Sequence, residues 1–212
     1  MYIFGKEFDV FLLDFDGVVL DSNFLKKECI YEVTKNYLSP AKHVLFVDYF
    51  INNNGIPREY KISTSFGEKE SSEILSKYSL CLKERLKVAK LTEGVMDFLK
   101  LLDSSNVKKF IISGGDEKEV IDLLYYNGIA QYIDEVKGGP AFKEDNILSM
   151  KIEGETVFIG DSKSDFEVAE IFHFDFIFMY GYTQFHNWEN YFQDKKLLMK
   201  IKNFRTILNN KY

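Results

Sequence analysis

The stretch that decides the fold, residues 10–22, reads Val-Phe-Leu-Leu-Asp-Phe-Asp-Gly-Val-Val-Leu-Asp-Ser. Its four leading apolar residues are typical of a strand that is buried on both faces of a parallel sheet. The run ends on two carboxylates, Asp14 and Asp16, and then Gly17. Carboxylates at the end of a buried strand lose hydration and repel each other unless a cation or a proton compensates them. The stretch therefore predicts a metal-assisted site at the sheet edge where open α/β folds bind ligands, although an ordinary acidic turn would explain the stretch taken alone.

From residue 90 onward, short apolar runs alternate with amphipathic helical patterns. Strands are predicted at 8–13, 109–112, 156–159 and 174–179, with a weaker one at 132–137. Thr92 is predicted to cap the first helix of this part, and residues 183–212 are predicted to be helical in parts. Strands that alternate with helices indicate the α/β class, here a doubly wound parallel sheet.

Between about residues 22 and 89 the apolar residues recur at helical spacing instead. Residues 52–58 have the composition of a turn, so we expect several helices joined into a small bundle directly after the acidic loop. We therefore divide the chain into a core domain of residues 1–17 and 90–212 and a cap domain of residues 18–89. The stripes that support this bundle are Cys29, Val33 and Tyr37; Val44, Val47 and Ile51; and Leu75, Tyr78, Leu82 and Leu86.

The composition restricts the classes of partner. The formal net charge of -6 and the pI of about 5.2 argue against binding to nucleic acid or to an anionic membrane surface, both of which require a basic face. A small anionic substrate stays compatible with this charge, because a metal ion, a lysine and helix N-termini reverse the field locally. No apolar run reaches the length of a membrane span, so we expect a soluble, cytoplasmic protein. The oligomeric state is left open.

The two cysteines, Cys29 and Cys81, lie far apart in helical segments. Because disulfides are rare in the cytosol, we expect both to be buried free thiols.

Three further groups of residues carry candidate chemistry after predicted strands. Ser113 offers a hydroxyl, and Gly114 and Gly115 offer backbone N–H groups, so this loop could bind an anion at a helix start. Lys143 stands in the first turn of a helix, where its charge opposes the dipole, and pairing with a phosphate or a carboxylate would explain it. Asp161 and Asp165 lie four residues apart at another helix start, where capping explains one aspartate more easily than two. With Asp14 and Asp16 they would suit Mg²⁺.

The order and spacing of these groups resemble the haloacid dehalogenase (HAD) superfamily over about residues 8–180. The helical insert resembles the cap of phosphoglycolate phosphatase-like and β-phosphoglucomutase-like members. The four matching motifs are Asp14-x-Asp16-Gly17-Val18-Val19-x-Asp21-Ser22; Ile111-Ile112-Ser113-Gly114; Lys143; and Gly160-Asp161-Ser162-Lys163-Ser164-Asp165.

This resemblance implies a Rossmann-like core and a Mg²⁺-dependent phosphatase acting on a small phosphorylated metabolite. Asp14 would be the nucleophile and form an aspartyl-phosphate, and Asp16 would be the general acid and base. Ser113, Gly114 and Lys143 would hold the phosphoryl group. The Mg²⁺ ligands would be Asp14, the backbone carbonyl of Asp16, and Asp161, with Asp165 in support.

Two other functions remain open at this point. A phosphosugar mutase would use the same aspartates, and a non-catalytic HAD-like binding module is disfavoured only because no motif carboxylate is missing. An aspartate at position 16 favours phosphoryl transfer over dehalogenation. Within the cap, Arg58 or Lys61 could reach over the site and bind a second anionic group of the substrate, and ordinary exposed basic residues are the alternative.

Overall fold

The helices and strands are those of a computed structural model, which describes residues 1–210. The strands are β1 (Tyr2–Ile3), β2 (Lys6–Glu7), β3 (Val10–Leu13), β4 (Leu20–Asp21), β5 (Lys90–Leu91), β6 (Lys108–Asp116), β7 (Glu135–Gly139), β8 (Thr156–Gly160), β9 (Asp175–Met179) and β10 (Met199–Ile201). The α-helices are α1 (Asn23–Thr34), α2 (Pro40–Asn52), α3 (Arg58–Ser63), α4 (Glu68–Arg85), α5 (Val95–Ser104), α6 (Glu117–Tyr126), α7 (Lys143–Leu148), α8 (Lys163–Ile171), α9 (Trp188–Tyr191) and α10 (Phe204–Asn209). Over residues 1–210, none of these helices combines the length and hydrophobicity that a membrane crossing requires.

Six strands form one parallel sheet in the order β10-β9-β8-β3-β6-β7. β3 lies inside the sheet, and all four of its residues are buried, as their apolar run predicts. Its side chains alternate between the two faces: Phe11 and Leu13 belong to one apolar cluster, and Val10 and Leu12 belong to the other. Helices cover both faces, which confirms the predicted doubly wound α/β class.

The C-terminal part contains an element that the sequence pattern does not reveal. The prediction of helical parts within 183–212 is confirmed by α9 and α10. The three residues of β10, however, form the sixth strand and pair in parallel with β9, with Met199 opposite Ile177. So short a segment shows no recognisable period of its own, and its pairing with the sheet edge decides its conformation.

The insert of four helices leaves and re-enters the sheet domain through an antiparallel ribbon. In that ribbon β4 pairs with β5, and Leu20 lies opposite Leu91. The predicted capping role of Thr92 is wrong, since Gly94 precedes α5 and the Thr92 hydroxyl instead donates to the carbonyl of Val18. This bond joins the two ends of the insert. The domain division at residues 17–18 and 89–90 stays a prediction.

Two details of the helical insert correct the sequence-based expectations. α2 turns His43, Phe46, Val47, Phe50 and Ile51 inward, whereas Val44 is 55% exposed and does not belong to the buried stripe. Cys29 on α1 and Cys81 on α4 form a disulfide, so the expectation of free thiols is wrong. The two helices pack side by side, and a sequence separation of 52 residues hides that proximity.

Candidate active site

The register of the sheet brings polar loops to one edge. Leu13 at the end of β3 pairs with Ile111 on one side and with Ile159 on the other. The backbone N–H of Asp14 continues this ladder by donating to the Ile159 carbonyl at 2.9 Å. Side chains that follow these positions therefore emerge together at the carboxyl edge, as expected for a doubly wound sheet.

Three buried carboxylates meet at this edge. Asp14, Asp161 and Asp165 each offer an oxygen, and these oxygens lie within 4.8 Å of one another. Lys143, the first residue of α7 and 1% exposed, donates from Nζ to Asp14 Oδ1 at 2.7 Å and to Asp165 Oδ1 at 2.6 Å. The prediction that Lys143 pairs with an anionic group is thus confirmed, and its partners are carboxylates.

Asp165 also caps the helix that carries it. Its Oδ2 accepts hydrogen bonds from the Ser162 backbone N–H at 3.0 Å and from Ser162 Oγ at 2.6 Å, while Ser162 Oγ accepts from the Asp165 N–H at 3.2 Å. This reciprocal arrangement is a capping box at the start of α8. Both oxygens of Asp165 are therefore occupied within the protein.

The electrostatics of the cluster favour a bound cation. Burial and the neighbouring Asp165 raise the pKa of Asp14 to about 7, against the opposing effect of Lys143. Burial, with Asp14 and Asp165, also raises the pKa of Asp161 well above its usual range. Burial alone would lower the pKa of Lys143, but Asp14 and Asp165 raise it above its ordinary value. One ammonium does not balance three buried carboxylates.

An orphaned oxygen shows where a cation fits. Asp161 Oδ2 accepts a hydrogen bond from Asn23 Nδ2 at 2.7 Å. Asp161 Oδ1 is buried and is one of two buried side-chain polar atoms within residues 1–210 that have no hydrogen-bond partner. Carboxylate oxygens that converge without enough positive charge are the donors that hard divalent cations such as Mg²⁺ take. These residues therefore fit the expected ion.

Asp16 does not belong to the cluster of three carboxylates and has partners of its own. Its Oδ1 accepts a hydrogen bond from Ser22 Oγ at 2.5 Å, and its Oδ2 is paired with the ammonium of Lys26. Although burial would raise the pKa of Asp16, Lys26 and Ser22 hold it below its usual range. Two aspartates separated by one residue thus have environments that shift their pKa values in opposite directions.

The predicted anion-binding loop follows Ile112 within β6. Ser113 is fully buried, and its Oγ accepts a hydrogen bond from the Gly115 N–H at 3.0 Å. Gly114 and Gly115 line the cavity in front of Asp14, whereas Ser113 does not. Asp116 accepts from the Glu119 N–H at 2.9 Å and so caps α6.

A cavity separates the carboxyl edge from the helical insert. The space between them amounts to about 450 Å³ with open solvent included, and it is lined from the sheet side by Asp14 and Asp16. Basic side chains line it from the insert: Lys26 of α1, and Arg58 and Lys61 of α3. The structure thus brings Arg58 and Lys61 to the same cavity as the two aspartates, and their binding of a substrate anion stays a prediction.

Arg58 is buried. Its guanidinium lies 3.4 Å from Glu119 Oε1 and 3.6 Å from Glu59 Oε1, and it packs over the ring of Tyr78. Burial opposes its charge, but Glu119 raises its pKa above the ordinary value. Its second terminal nitrogen is the other buried polar atom of residues 1–210 without a partner. That nitrogen, Nη1, is therefore a buried donor without an acceptor.

Lys61 is buried more completely than its charge would lead one to expect. Its Nζ donates to the carbonyl oxygens of Phe50 at 3.0 Å and Asn53 at 3.3 Å and lies 3.9 Å from the centre of the Phe50 ring. Burial, together with the nearby Lys26, lowers its pKa to about 7. An anion in the cavity would favour its charged form.

Sequence reasoning missed two residues at the site, Lys26 and Asn23. Both lie in the first turn and a half of α1, directly after the motif that contains Asp14 and Asp16. The Lys26 N–H donates to the Ser22 carbonyl, so the helix begins immediately after the acidic loop. The position of α1 directly after the acidic loop could have revealed both residues, because side chains in the first turn of a helix face the loop that precedes it.

A comparison with protein families identifies the family of this chain. The sequence model of the haloacid dehalogenase-like hydrolases matches residues 11–179. The chain belongs to this family. The matched segment contains every motif residue described above, and in this haloacid dehalogenase-like hydrolase Asp14, Asp161 and Asp165 meet at one sheet edge. A search of curated proteins found no match.

Solved structures share the fold of this haloacid dehalogenase-like hydrolase. A haloacid dehalogenase-like family hydrolase from Streptococcus pneumoniae is 21% identical, with a TM-score of 0.71, over 96% of this chain and 98% of that one. A structure described as a predicted phosphoglycolate phosphatase from Haemophilus somnus is 17% identical, with a TM-score of 0.75, over 98% and 99%. Protein Tyrosine Kinase A of Mycobacterium tuberculosis is 16% identical, with a TM-score of 0.69, over 97% and 98%. Proteins described as a phosphatase and as a kinase thus share this architecture, so the reaction has to be argued from the site.

Proposed function

We propose that this haloacid dehalogenase-like hydrolase is a Mg²⁺-dependent phosphatase that hydrolyses a small phosphorylated metabolite, such as a sugar phosphate, through an aspartyl-phosphate on Asp14. One observation carries the proposal. Asp14 lines the cavity beneath the helical insert and at the same time lies close enough to Asp161 to share a cation with it. A neighbour described as a phosphoglycolate phosphatase supports the same activity.

The cation would be held by Asp14, Asp161 and the backbone carbonyl of Asp16, with Asp165 in support. When bound, Mg²⁺ neutralises charge on the phosphoryl oxygens and keeps Asp14 ionised. Lys143 holds Asp14 and Asp165 in place through its two hydrogen bonds. Its ammonium also adds positive charge beside the phosphoryl group.

The reaction proceeds in two half-reactions. A carboxylate oxygen of Asp14 attacks phosphorus, the bond from phosphorus to the leaving oxygen breaks, and that oxygen takes a proton from Asp16. Water then attacks phosphorus and gives a proton to Asp16, while the bond between phosphorus and the Asp14 oxygen breaks. Inorganic phosphate is released, Asp14 returns to the carboxylate and Asp16 to the protonated acid. Lys26 stabilises the charged form of Asp16, which is the form that the second half-reaction needs. The first half-reaction needs the protonated form, so Asp16 would have to leave its contact with Lys26 before it donates a proton.

The remaining site residues would bind the substrate. Ser113 and the backbone N–H of Gly114, both near the end of β6, would hold the phosphoryl group. Gly114 lines the cavity, whereas the buried hydroxyl of Ser113 would have to turn toward it. Arg58, with its unpartnered nitrogen, and Lys61 would bind a second anionic group on the leaving part of the substrate. A cytoplasmic location, and the exclusion of nucleic acid and membrane as partners, stay predictions.

The test measures release of p-nitrophenol from p-nitrophenyl phosphate. We expect turnover with Mg²⁺, none after removal of Mg²⁺ with EDTA, and none in Asp14→Asn. The matched control is Asp97→Asn, which changes an exposed aspartate whose partner is Arg205, far along the chain, and it should keep full activity. In the wild type, acid quenching should trap one phosphoryl group on Asp14, seen by mass spectrometry of the peptide. Undiminished turnover in Asp14→Asn would exclude the nucleophile assignment.

A further inference from the structure

Asn23 joins three segments that are distant in sequence. It is the first residue of α1 and is 3% exposed. Its Nδ2 donates to Asp161 Oδ2 at 2.7 Å and to the carbonyl oxygen of Tyr182 at 3.1 Å. Its Oδ1 accepts from Asn54 Nδ2 at 3.2 Å. One side chain therefore connects a candidate cation ligand with the turn of the helical insert.

The chemistry of the neighbours determines the orientation of this amide. Two acceptors, from Asp161 and Tyr182, face one end of the Asn23 side chain, and a donor from Asn54 faces the other end. Only a side chain with donors at one end and an acceptor at the other satisfies all three. The contact is also tightly enclosed, because a Cβ at Gly17 would lie 2.3 Å from both Asn23 Nδ2 and Asp161 Oδ2.

The turn that carries Asn54 rests directly on the loops of the sheet edge. A Cβ at Gly114 would lie 2.4 Å from the Gly55 carbonyl oxygen, and a Cβ at Gly55 would lie 3.0 Å from the side chain of Ser164. Asn23 and Asn54 both belong to the helical insert, so their hydrogen bond lies within it, whereas the bond from Asn23 to Asp161 joins the insert to the core. Movement of the turn relative to α1 would break the bond between the two asparagines.

We propose that Asn23 is a positioning residue that aims Asp161 at the cation and couples cation affinity to docking of the turn at residues 53–56. This inference rests on the Mg²⁺ dependence proposed above. By donating to Oδ2, Asn23 leaves Oδ1 of Asp161, which has no partner, to face the cation. Asn54 holds the amide in that orientation only while the turn is docked. Because such coupling is reciprocal, a bound cation must in turn favour the docked turn.

The experiment measures Mg²⁺ affinity by calorimetry without substrate, using the full chain. Loss of a partner that orients a metal ligand typically weakens affinity about 10–100-fold, and we expect this for Asn23→Ala. Asn54→Ala should lose less affinity, because the bond to Asp161 remains. Asn36→Ala, at an exposed position just after α1, is the matched control and should bind as the wild type does. Hydrogen exchange of residues 53–56 supplies a second readout: Mg²⁺ should slow it in the wild type and in Asn36→Ala, but not in Asn23→Ala or Asn54→Ala.

The outcomes separate this inference from the proposed function. If the wild type binds no Mg²⁺, the proposed Mg²⁺ dependence fails and the inference fails with it. If the wild type binds Mg²⁺ but Asn23→Ala binds equally well, only the role of Asn23 is overturned. If Asn23→Ala does not fold, Asn54→Ala decides the question. The coupling is refuted if Mg²⁺ slows hydrogen exchange of residues 53–56 in Asn54→Ala as much as in the wild type.

Discussion

Replacing the proposed nucleophile should make the cation-free protein more stable. Asp14 is buried beside Asp161 and Asp165, and burial with this repulsion raises its pKa from the ordinary 3.8 to about 7. Because the pKa is higher in the folded than in the unfolded state, ionised Asp14 opposes folding above pH 7. This opposition disappears as the pH falls toward 3.8, where both states hold the proton. Asp14→Asn keeps the shape of the side chain and removes the charge.

The size of the effect follows from the same shift. At about 1.4 kcal/mol for each pKa unit, the difference between 3.8 and about 7 corresponds to ~4 kcal/mol at most. Part of this gain in stability is lost in Asp14→Asn, because the buried Lys143 then keeps only Asp165 as a charged partner. We therefore expect Asp14→Asn to raise the free energy of unfolding by ~1–3 kcal/mol without cation at about pH 8.

Urea unfolding in EDTA, followed by circular dichroism, measures this gain against the wild type and Asp97→Asn. The gain should shrink at about pH 5, where Asp14 in the wild type already holds a proton. Mg²⁺ at 1,000 times its Kd should reverse the order, since at that concentration an ion stabilises the protein that binds it by about 4.1 kcal/mol. The reasoning is refuted if Asp14→Asn is no more stable at the higher pH, or if its gain does not change with acid.

Three further changes test the proposed roles. Asp16→Asn should release p-nitrophenol in a burst of one equivalent and then stall, because this leaving group needs no acid whereas the second half-reaction needs a base; steady turnover without a burst in stopped-flow absorbance would contradict that role. Gly114→Ala should lower kcat/KM at least about 10-fold, since its Cβ would meet the Gly55 carbonyl oxygen at 2.4 Å, while Gly67→Ala, whose Cβ has open surroundings, should not; equal activity of the two variants would exclude a docked turn during turnover. Arg58→Ala should raise KM for the natural substrate, found by screening phosphorylated metabolites, and leave p-nitrophenyl phosphate unaffected; equal effects on both substrates would argue against a second anionic group.

The sheet and its carboxylates could be predicted because they depend on local rules. A wholly apolar strand predicts burial, and parallel strands place their ends at one edge, so Asp14 and Asp161 had to meet. Lys143 could be predicted for a similar reason, because a cation in the first turn of a helix needs an anionic partner. These inferences use only the residue type and the position within one element.

The residues that were missed depend on how elements pack. Lys26 is indistinguishable from a surface lysine until the direction of α1 after the ribbon is known. The pairing of Cys29 with Cys81 depends on contact between α1 and α4, and the exposure of Val44 depends on the rotation of α2 against its neighbours. Hydrophobic spacing predicts that a helix forms, but the partner helix selects which of several apolar residues it buries.

The ribbon of β4 and β5 makes the helical insert modular. The two ends of the insert leave the sheet domain side by side, with Leu20 opposite Leu91. The hydrogen bond from the Thr92 hydroxyl to the Val18 carbonyl holds these ends together. The number of residues between these anchors therefore does not alter the spacing of the six parallel strands, and longer connections add little entropic cost to closure. A bundle transplanted from another chain onto the same two anchors would face the same carboxylates with different side chains, so the ribbon separates the evolution of selectivity from that of the reaction.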